Sequence, residues 1–150
     1  MIPPVRCRAW CVGAFVIVAT LGLSADGILP GDIEWLRVSQ TIGAAVTNAN
    51  AVAVDADGNV YTAGMVSGAF PGQQAPAISA AFVRKDSTDG VEVWTRQFDT
   101  GVLPGDQALG ISVDASGVYV AGVVSAALPG QVAHLLDAFV RKYDFAGHEL

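Results

Sequence analysis

One short acidic segment carries the side-chain oxygens that a bound cation requires. Asp55-Ala-Asp57-Gly-Asn59 places oxygen atoms at its first, third and fifth positions, as a calcium-binding loop does. An EF-hand-type loop has glycine at position six and glutamate at position twelve, but here glycine is fourth and position twelve is Val66. A second copy of the segment keeps Asp114 but has Ser116 in place of Asp57 and Gly117-Val118 in place of Asn59. We therefore interpret the segment as a turn held by its first aspartate, with calcium as the weaker alternative, and expect no cofactor.

Catalytic signatures do not occur in the chain. Its two histidines are His134 and His148, and neither recurs at the equivalent position of the internal repeat described below. The sequence has no Gly-x-Ser-x-Gly, His-Glu-x-x-His or Gly-x-Gly-x-x-Gly motif. The net charge of −6 does not favour nucleic-acid binding. We expect no catalytic residue and no nucleic-acid partner.

Aromatic and basic residues recur in pairs. Trp35 and Arg37 are matched by Trp94 and Arg96, which could form an exposed ladder for ligands. The interpretation that we favour is a tryptophan packed between structural units and covered by arginine through a cation–π contact. An Arg-Lys pair also recurs, at 84–85 and 141–142. We expect it to lie at solvated strand ends, with contact to an anionic ligand as the alternative.

These pairs belong to an internal repeat that positions them. Residues 52–55 recur at 111–114, a step of 59, and residues 81–85 recur at 138–142, a step of 57. The drift corresponds to deletions in a turn and in a loop, where insertions and deletions are tolerated. The repeated positions expected to form the framework are Trp35, Trp94, Asp55, Asp114, Gly58, Gly117, Gly64, Gly122, Pro71, Pro129, Phe82 and Phe139.

The pattern within one repeat is β throughout. Short segments rich in small and β-branched residues lie at 49–54, 59–66, 82–85 and 91–98, separated by turns. Gly58 is expected to adopt a positive φ in the first hairpin. Four strands per unit of 57 to 59 residues are typical of a β-propeller blade. The sequence therefore predicts an all-β fold of propeller blades.

The repeat resembles a known family. The segments VAVDADGNVYTAG, SGAFPG, AFVRK and WTRQFDT are similar to the SBBP repeat, a family of bacterial β-propeller repeats of the seven-bladed type, over about 35–150. The second copy departs from the first at Ser116 and at Gly117-Val118. The resemblance implies a propeller fold and an exported or cell-surface location, and it transfers no catalytic residue.

The predicted ring is incomplete. The segment 33–38 aligns with a fourth strand, 49–98 forms a first blade, and 107–150 forms a second blade without its last strand. Two blades cannot close a ring, and repeat proteins with fewer than three units are seldom stable. We expect residues 26–150 to be part of a longer propeller; the alternative is that copies self-associate to complete the blades.

The N-terminus predicts export. Arg6 and Arg8 precede an uncharged run over 12–23, which is too short to span a bilayer but suits a secretory signal peptide. Small residues near Ala25 fit a cleavage site, so residues 1–25 are predicted to be removed. Cys7 and Cys11, the only two cysteines, would leave with them. No stable membrane span is then expected, and the location is extracellular or in the cell envelope.

The function expected from these observations is that of a scaffold or binding module. Its ligand is unspecified, with protein and carbohydrate as the candidates. We expect contacts on the loops at 67–80 and 125–136, since propellers bind through loops between strands. The alternative is part of an extracellular propeller enzyme whose catalytic residues lie in blades absent here.

Overall fold

A computed structural model describes residues 33–43, 45–127, 130, 132 and 135–150. The predicted signal peptide at 1–25, Pro129, His134 and part of the 125–136 loop lie outside these residues. The described chain is all-β: it has seven antiparallel strands in two sheets and no helix. Consequently, no membrane-spanning helix is found in the part of the chain that the structure describes.

Each repeat forms one sheet whose strands follow in chain order. The first sheet has the order β1-β2-β3-β4 and the second has the order β5-β6-β7. The strands are β1 Thr47–Val54, β2 Val60–Val66, β3 Ala80–Asp86, β4 Glu92–Phe98, β5 Gln107–Asp114, β6 Gly117–Val124 and β7 Asp137–Tyr143. The four strands predicted for the first repeat are confirmed, with β1 and β3 longer than expected.

The turns explain why neighbouring strands are antiparallel and adjacent. Gly58 has a φ of 83°, as predicted, and closes the β1–β2 hairpin. The first strand of each sheet is irregular at the same place, since the register shifts between Ala49 and Ala51 and again between Ala108 and Gly110. Such a bulge bends a strand and increases its twist. The two repeats thus share their irregularities as well as their strands.

Cross-strand pairs define two faces on each sheet, because directly opposite residues point to the same side. We call front the face that carries Tyr61, Ala63 and Val83 in the first sheet; its counterparts in the second are Tyr119, Ala121 and Val140. The opposite face is called back. In the first sheet it carries Val60, Thr62, Val66 and Phe82, and in the second Val118, Val120, Val124 and Phe139.

The main core lies between the front of the first sheet and the back of the second. It contains Tyr61, Ala63, Ala81, Val83, Trp94, Ala108, Val118, Val120, Val124, Phe139 and Tyr143. Phe98 meets Phe139 edge to face, with ring centroids 5.2 Å apart. A smaller cluster on the back of the first sheet contains Val66, Phe70, Ala80 and Phe82. Burial of these apolar side chains therefore joins the sheets face to face.

The repeated glycines Gly64 and Gly122 make room for the repeated phenylalanines. A Cβ on Gly64 would overlap the carbonyl oxygen of Asn48 and lie 2.8 Å from the Phe82 ring. A Cβ on Gly122 would overlap the carbonyl oxygen of Gln107 and lie 2.8 Å from the Phe139 ring. The packing of the repeat therefore requires a residue without a side chain at both positions.

The structure has no strand at 33–38, where the sequence predicted a lone fourth strand. A strand requires a ladder partner, and in the described chain this segment packs through side chains instead. The second sheet lacks a fourth strand in the same described residues. Glu149 only begins one, through a bridge to Tyr143 and a 2.9 Å hydrogen bond from the Leu150 amide to the Lys142 carbonyl.

Candidate functional site

A cavity of about 460 Å³ opens where the first hairpin turns of the two repeats meet. We call it the turn cavity. It is lined by Val54, Asp55, Ala56, Asp57, Lys85, Val113, Asp114, Ala115 and Phe145. The β1–β2 turn supplies residues 54–57, and the β5–β6 turn supplies the equivalent residues 113–115. Stacking of the two sheets therefore brings the predicted positions Asp55, Asp57 and Asp114 to one opening.

Asp55 organises its turn through both carboxylate oxygens. Oδ1 accepts hydrogen bonds from the backbone N–H groups of Asp57 at 3.0 Å and Asn59 at 2.9 Å. Oδ2 accepts from the Asn59 amide at 2.9 Å and the Tyr61 hydroxyl at 3.0 Å. The backbone bonds predicted for Asp55 are present. Four donors therefore occupy the two oxygens of Asp55 and hold the turn.

The same device recurs at two other turns. Asp114 accepts from the Ser116 backbone and from the Ser116 hydroxyl, both at 2.7 Å. Asp144 accepts from the backbone N–H groups of Ala146 at 2.9 Å and His148 at 2.8 Å. The third turn was not recognised from the sequence, although its Asp-x-x-Gly spacing matches the other two.

Hydrogen bonds keep these turn carboxylates acidic. Burial raises the pKa of Asp55, but the bonds from Asn59, Tyr61 and Asp57 outweigh burial and hold that pKa below its ordinary value. The Ser116 hydroxyl and backbone lower the pKa of Asp114, and the His148 backbone and ring lower that of Asp144. All three side chains therefore favour the anionic form.

Lys85 and Phe145 provide the other chemistry of the turn cavity. The Lys85 ammonium lies 3.9 Å from Oδ2 of Asp55 and 5.7 Å from the centre of the Phe145 ring. Phe145 is 40% exposed, so its ring is accessible to a ligand. The backbone carbonyl of Asp57 accepts from the Thr88 hydroxyl at 3.1 Å, but no described donor contacts its carboxylate, which is therefore available. The lining thus offers an aromatic surface beside more carboxylates than cations.

The repeated tryptophans lie over repeated turns. The Trp94 indole donates to the Phe145 carbonyl at 3.0 Å, and the Arg96 guanidinium lies 5.7 Å from the Trp94 ring centre. Trp94 is buried between the sheets. Trp35 donates in the same way to the Thr88 carbonyl at 3.0 Å. Trp94 and Arg96 therefore match the favoured interpretation, whereas Trp35 is only partly buried and Arg37 lies 3.9 Å from Glu92.

The first arginine of the basic pair is not solvated, contrary to expectation. Arg84 is only 3% exposed and lies 3.0 Å from Asp86 and 3.1 Å from Glu92. Its guanidinium also donates to the Ser39 hydroxyl at 3.1 Å. Desolvation of a guanidinium requires such paired acids. Arg84 therefore holds the back of the first sheet to the segment at 33–43.

Two polar side chains, Gln97 and Asp106, have no counterpart in the other repeat, so the repeat pattern does not predict their roles. Gln97 donates to the carbonyls of Gly68 and Gln74 and accepts from the Phe70 amide, which fixes the loop that contains Pro71. Asp106 is fully buried and accepts from Ser125 and Thr100. Both side chains satisfy backbone groups of loops, a requirement that a linear pattern does not reveal.

Among the described residues, no set of three or more His, Cys, Asp or Glu side chains is placed to hold a metal ion. Nδ1 of the His148 ring forms a 2.9 Å hydrogen bond with Oδ2 of Asp144 within the third turn. No described hydroxyl or thiol completes that pair as a nucleophile.

Comparison of the chain with models of known protein families gave no match. Comparison with curated proteins gave none either.

Proposed function

We propose that the protein is an exported β-propeller repeat protein of the SBBP type that acts as a binding module. Each sheet has the chain-order antiparallel arrangement of a blade, and the two sheets stack face to face, which supports this interpretation. The N-terminal charge and hydrophobic pattern supports export.

The observation that carries the binding proposal is the turn cavity between two equivalent hairpins. Its opening combines the exposed Phe145 ring, the available Asp57 carboxylate and the Lys85 ammonium. A pocket with an apolar surface and a few placed polar groups suits a small ligand. Excess carboxylate disfavours anions, so the ligand class that we propose is a neutral carbohydrate or a basic peptide segment.

Titration calorimetry with defined probes tests this proposal. Cellotetraose, xylotetraose, chitotetraose and a trilysine peptide are added separately to the full chain. Binding of at least one probe is expected to weaken about tenfold or more in Phe145→Ala and Asp57→Ala. Asp99→Ala, which removes an acid that does not line the cavity, serves as the control. Absence of binding by all four probes, or equal binding by all variants, would contradict the proposed site.

A separate measurement tests export. The intact mass of the protein in the secreted or envelope fraction should be lower than 15.4 kDa by one signal peptide. An unprocessed chain that remains inside the cell would contradict export without bearing on the cavity.

A further inference from the structure

Five residues on the front are identical in the two sheets, but only the first sheet has its front covered. Tyr61, Ala63, Ala81, Val83 and Lys85 recur at identical positions as Tyr119, Ala121, Ala138, Val140 and Lys142. Val83 is 0% exposed beneath the second sheet, whereas Val140 is 72% exposed. Ala63 and Ala81 are buried, and Ala121 and Ala138 are exposed. The second sheet therefore presents to solvent a face that the first sheet buries.

The back faces show the complementary difference. Ala108, Val118 and Val120 of the second sheet are 0% exposed because they pack on the first sheet. The equivalent Ala49 is exposed. It lines a cavity of about 350 Å³ together with Thr62 and Phe82. The first sheet therefore leaves its back open at Ala49, whereas Phe82 is already covered by Phe70 and Arg84 by the segment at 33–43.

We propose that the chain self-associates head to tail, with the front of the second sheet of one copy docked on the back of the first sheet of another. The interface between the two sheets of a single chain is the template for this contact. Five front residues are identical in the two sheets, and Ala49, Val60 and Phe82 match Ala108, Val118 and Phe139 of the docked back. A heterologous contact of this type produces a ring where the rotation closes and a filament where it does not.

The segment at 35–38 fits the same arrangement. The Trp35 ring lies against Gly90 as the Trp94 ring lies against Gly147, each 2.8 Å from the place of a Cβ. The segment thus relates to the first sheet as β4 relates to the second. Because β4 also hydrogen-bonds to β3, the assembly brings the segment at 35–38 of one copy alongside β7 of the next. It would extend the pairing that Glu149 begins on that strand.

Complementary variants test the proposal. Val140→Asp places a charge on the open front, and Ala49→Arg places one on the open back; both positions are exposed, so each chain should fold. Sedimentation velocity of the full chain over a hundredfold concentration range should show oligomers for the unaltered chain. Each variant alone should associate at least about tenfold more weakly than the unaltered chain, because its charge would be desolvated on docking. A 1:1 mixture should restore dimers, since one intact front and one intact back remain.

Three outcomes would overturn the proposal. The first is an unaltered chain that is monomeric at every concentration. The second is Ala49→Arg associating like the unaltered chain while Val140→Asp does not, which would indicate contact between two front faces. The third is a 1:1 mixture of the two variants that sediments as each variant does alone. Ala138→Arg is a second front variant, and circular dichroism checks that every variant folds. Hydrogen exchange supplies an independent test, since amides of β7 should slow on association.

Discussion

At the scale of single residues, the repeat is maintained by aspartates that hydrogen-bond the turns and by glycines against which tryptophan rings pack. Asp55, Asp114 and Asp144 each accept hydrogen bonds from backbone N–H groups two to four positions later in the sequence. Gly147 provides the surface on which Trp94 lies. These roles require a particular atom or its absence, so single substitutions can test them.

Gly147→Ala should destabilise the protein more than Gly72→Ala does. Both glycines have a positive φ, of 82° and 76°, so both substitutions incur a backbone cost of about 1–2 kcal/mol. Only at Gly147 would the new Cβ meet a ring, that of Trp94 at 2.8 Å; nothing lies within 4 Å at Gly72. The overlap should add about 1–3 kcal/mol. Urea denaturation measures both free energies of unfolding, and equal losses would contradict the packing role.

Asp55→Asn should weaken the dependence of stability on acid pH. The folded-state pKa of Asp55 lies below its ordinary value of 3.8, so its stabilisation is complete above that value. Stabilisation is lost as the pH falls through the lowered pKa, because the unfolded chain binds the proton first. At pH 7 the substitution should cost about 1–2 kcal/mol through weaker hydrogen bonds. The free energies of unfolding of Asp55→Asn and of the unaltered chain, measured from pH 7 to pH 2.5, should therefore converge as the pH falls.

Asp57→Asn is the control for this pH series, since no described side-chain donor contacts the Asp57 carboxylate. It should lose less stability at pH 7 than Asp55→Asn does. If the Asp55→Asn curve runs parallel to that of the unaltered chain, Asp55 does not couple the turn to pH.

At the scale of elements, identical strands have different surroundings in the two repeats. Val83 on β3 and Val140 on β7 occupy the same repeat position, but the second sheet covers only Val83. Sequence identity therefore does not make these positions equal in energy. Their burial depends on which neighbouring sheet is present.

Val83→Ala should cost about 2–3 kcal/mol, since it deletes two buried methyl groups and leaves a cavity. Val140→Ala should change the free energy of unfolding by no more than about 0.5 kcal/mol in the monomer. Denaturation at submicromolar concentration compares them without self-association. Similar losses for both would mean that the front of the second sheet is covered in the folded chain.

The strands and their turns could be predicted from the sequence because they depend on local pattern. Segments rich in small and β-branched residues indicated β1 to β4, and the glycine of the Asp-Ala-Asp-Gly turn indicated the positive φ of Gly58. The absence of a strand at 33–38 could not be predicted by alignment with β4, since a strand also needs a partner edge. The turn cavity required knowledge of how the two sheets stack. The burial of Arg84 depended on three partners at separate places in the sequence, namely Ser39, Asp86 and Glu92.

At the scale of the whole molecule, the main core belongs to neither sheet alone. It combines Tyr61, Ala63 and Val83 of the first sheet with Val118, Val120 and Phe139 of the second. The Asn50 side chain also donates to the Ala108 carbonyl at 2.7 Å, which ties β1 to β5. Separating the sheets would expose this apolar surface on both. Two repeats that are alike in sequence should therefore behave as one folding unit.

This coupling predicts a single cooperative unfolding transition in residues 33–150. Phe70→Leu tests it, because Phe70 packs with Phe82 on the back of the first sheet, away from the core between the sheets. The substitution should lower stability by about 1–2 kcal/mol. Native-state hydrogen exchange should then show the same loss for amides of β6 as for amides of β2, since cooperative units share one opening free energy. A loss confined to β2 would mean that each sheet unfolds independently, and the core between them would then contribute packing without cooperativity.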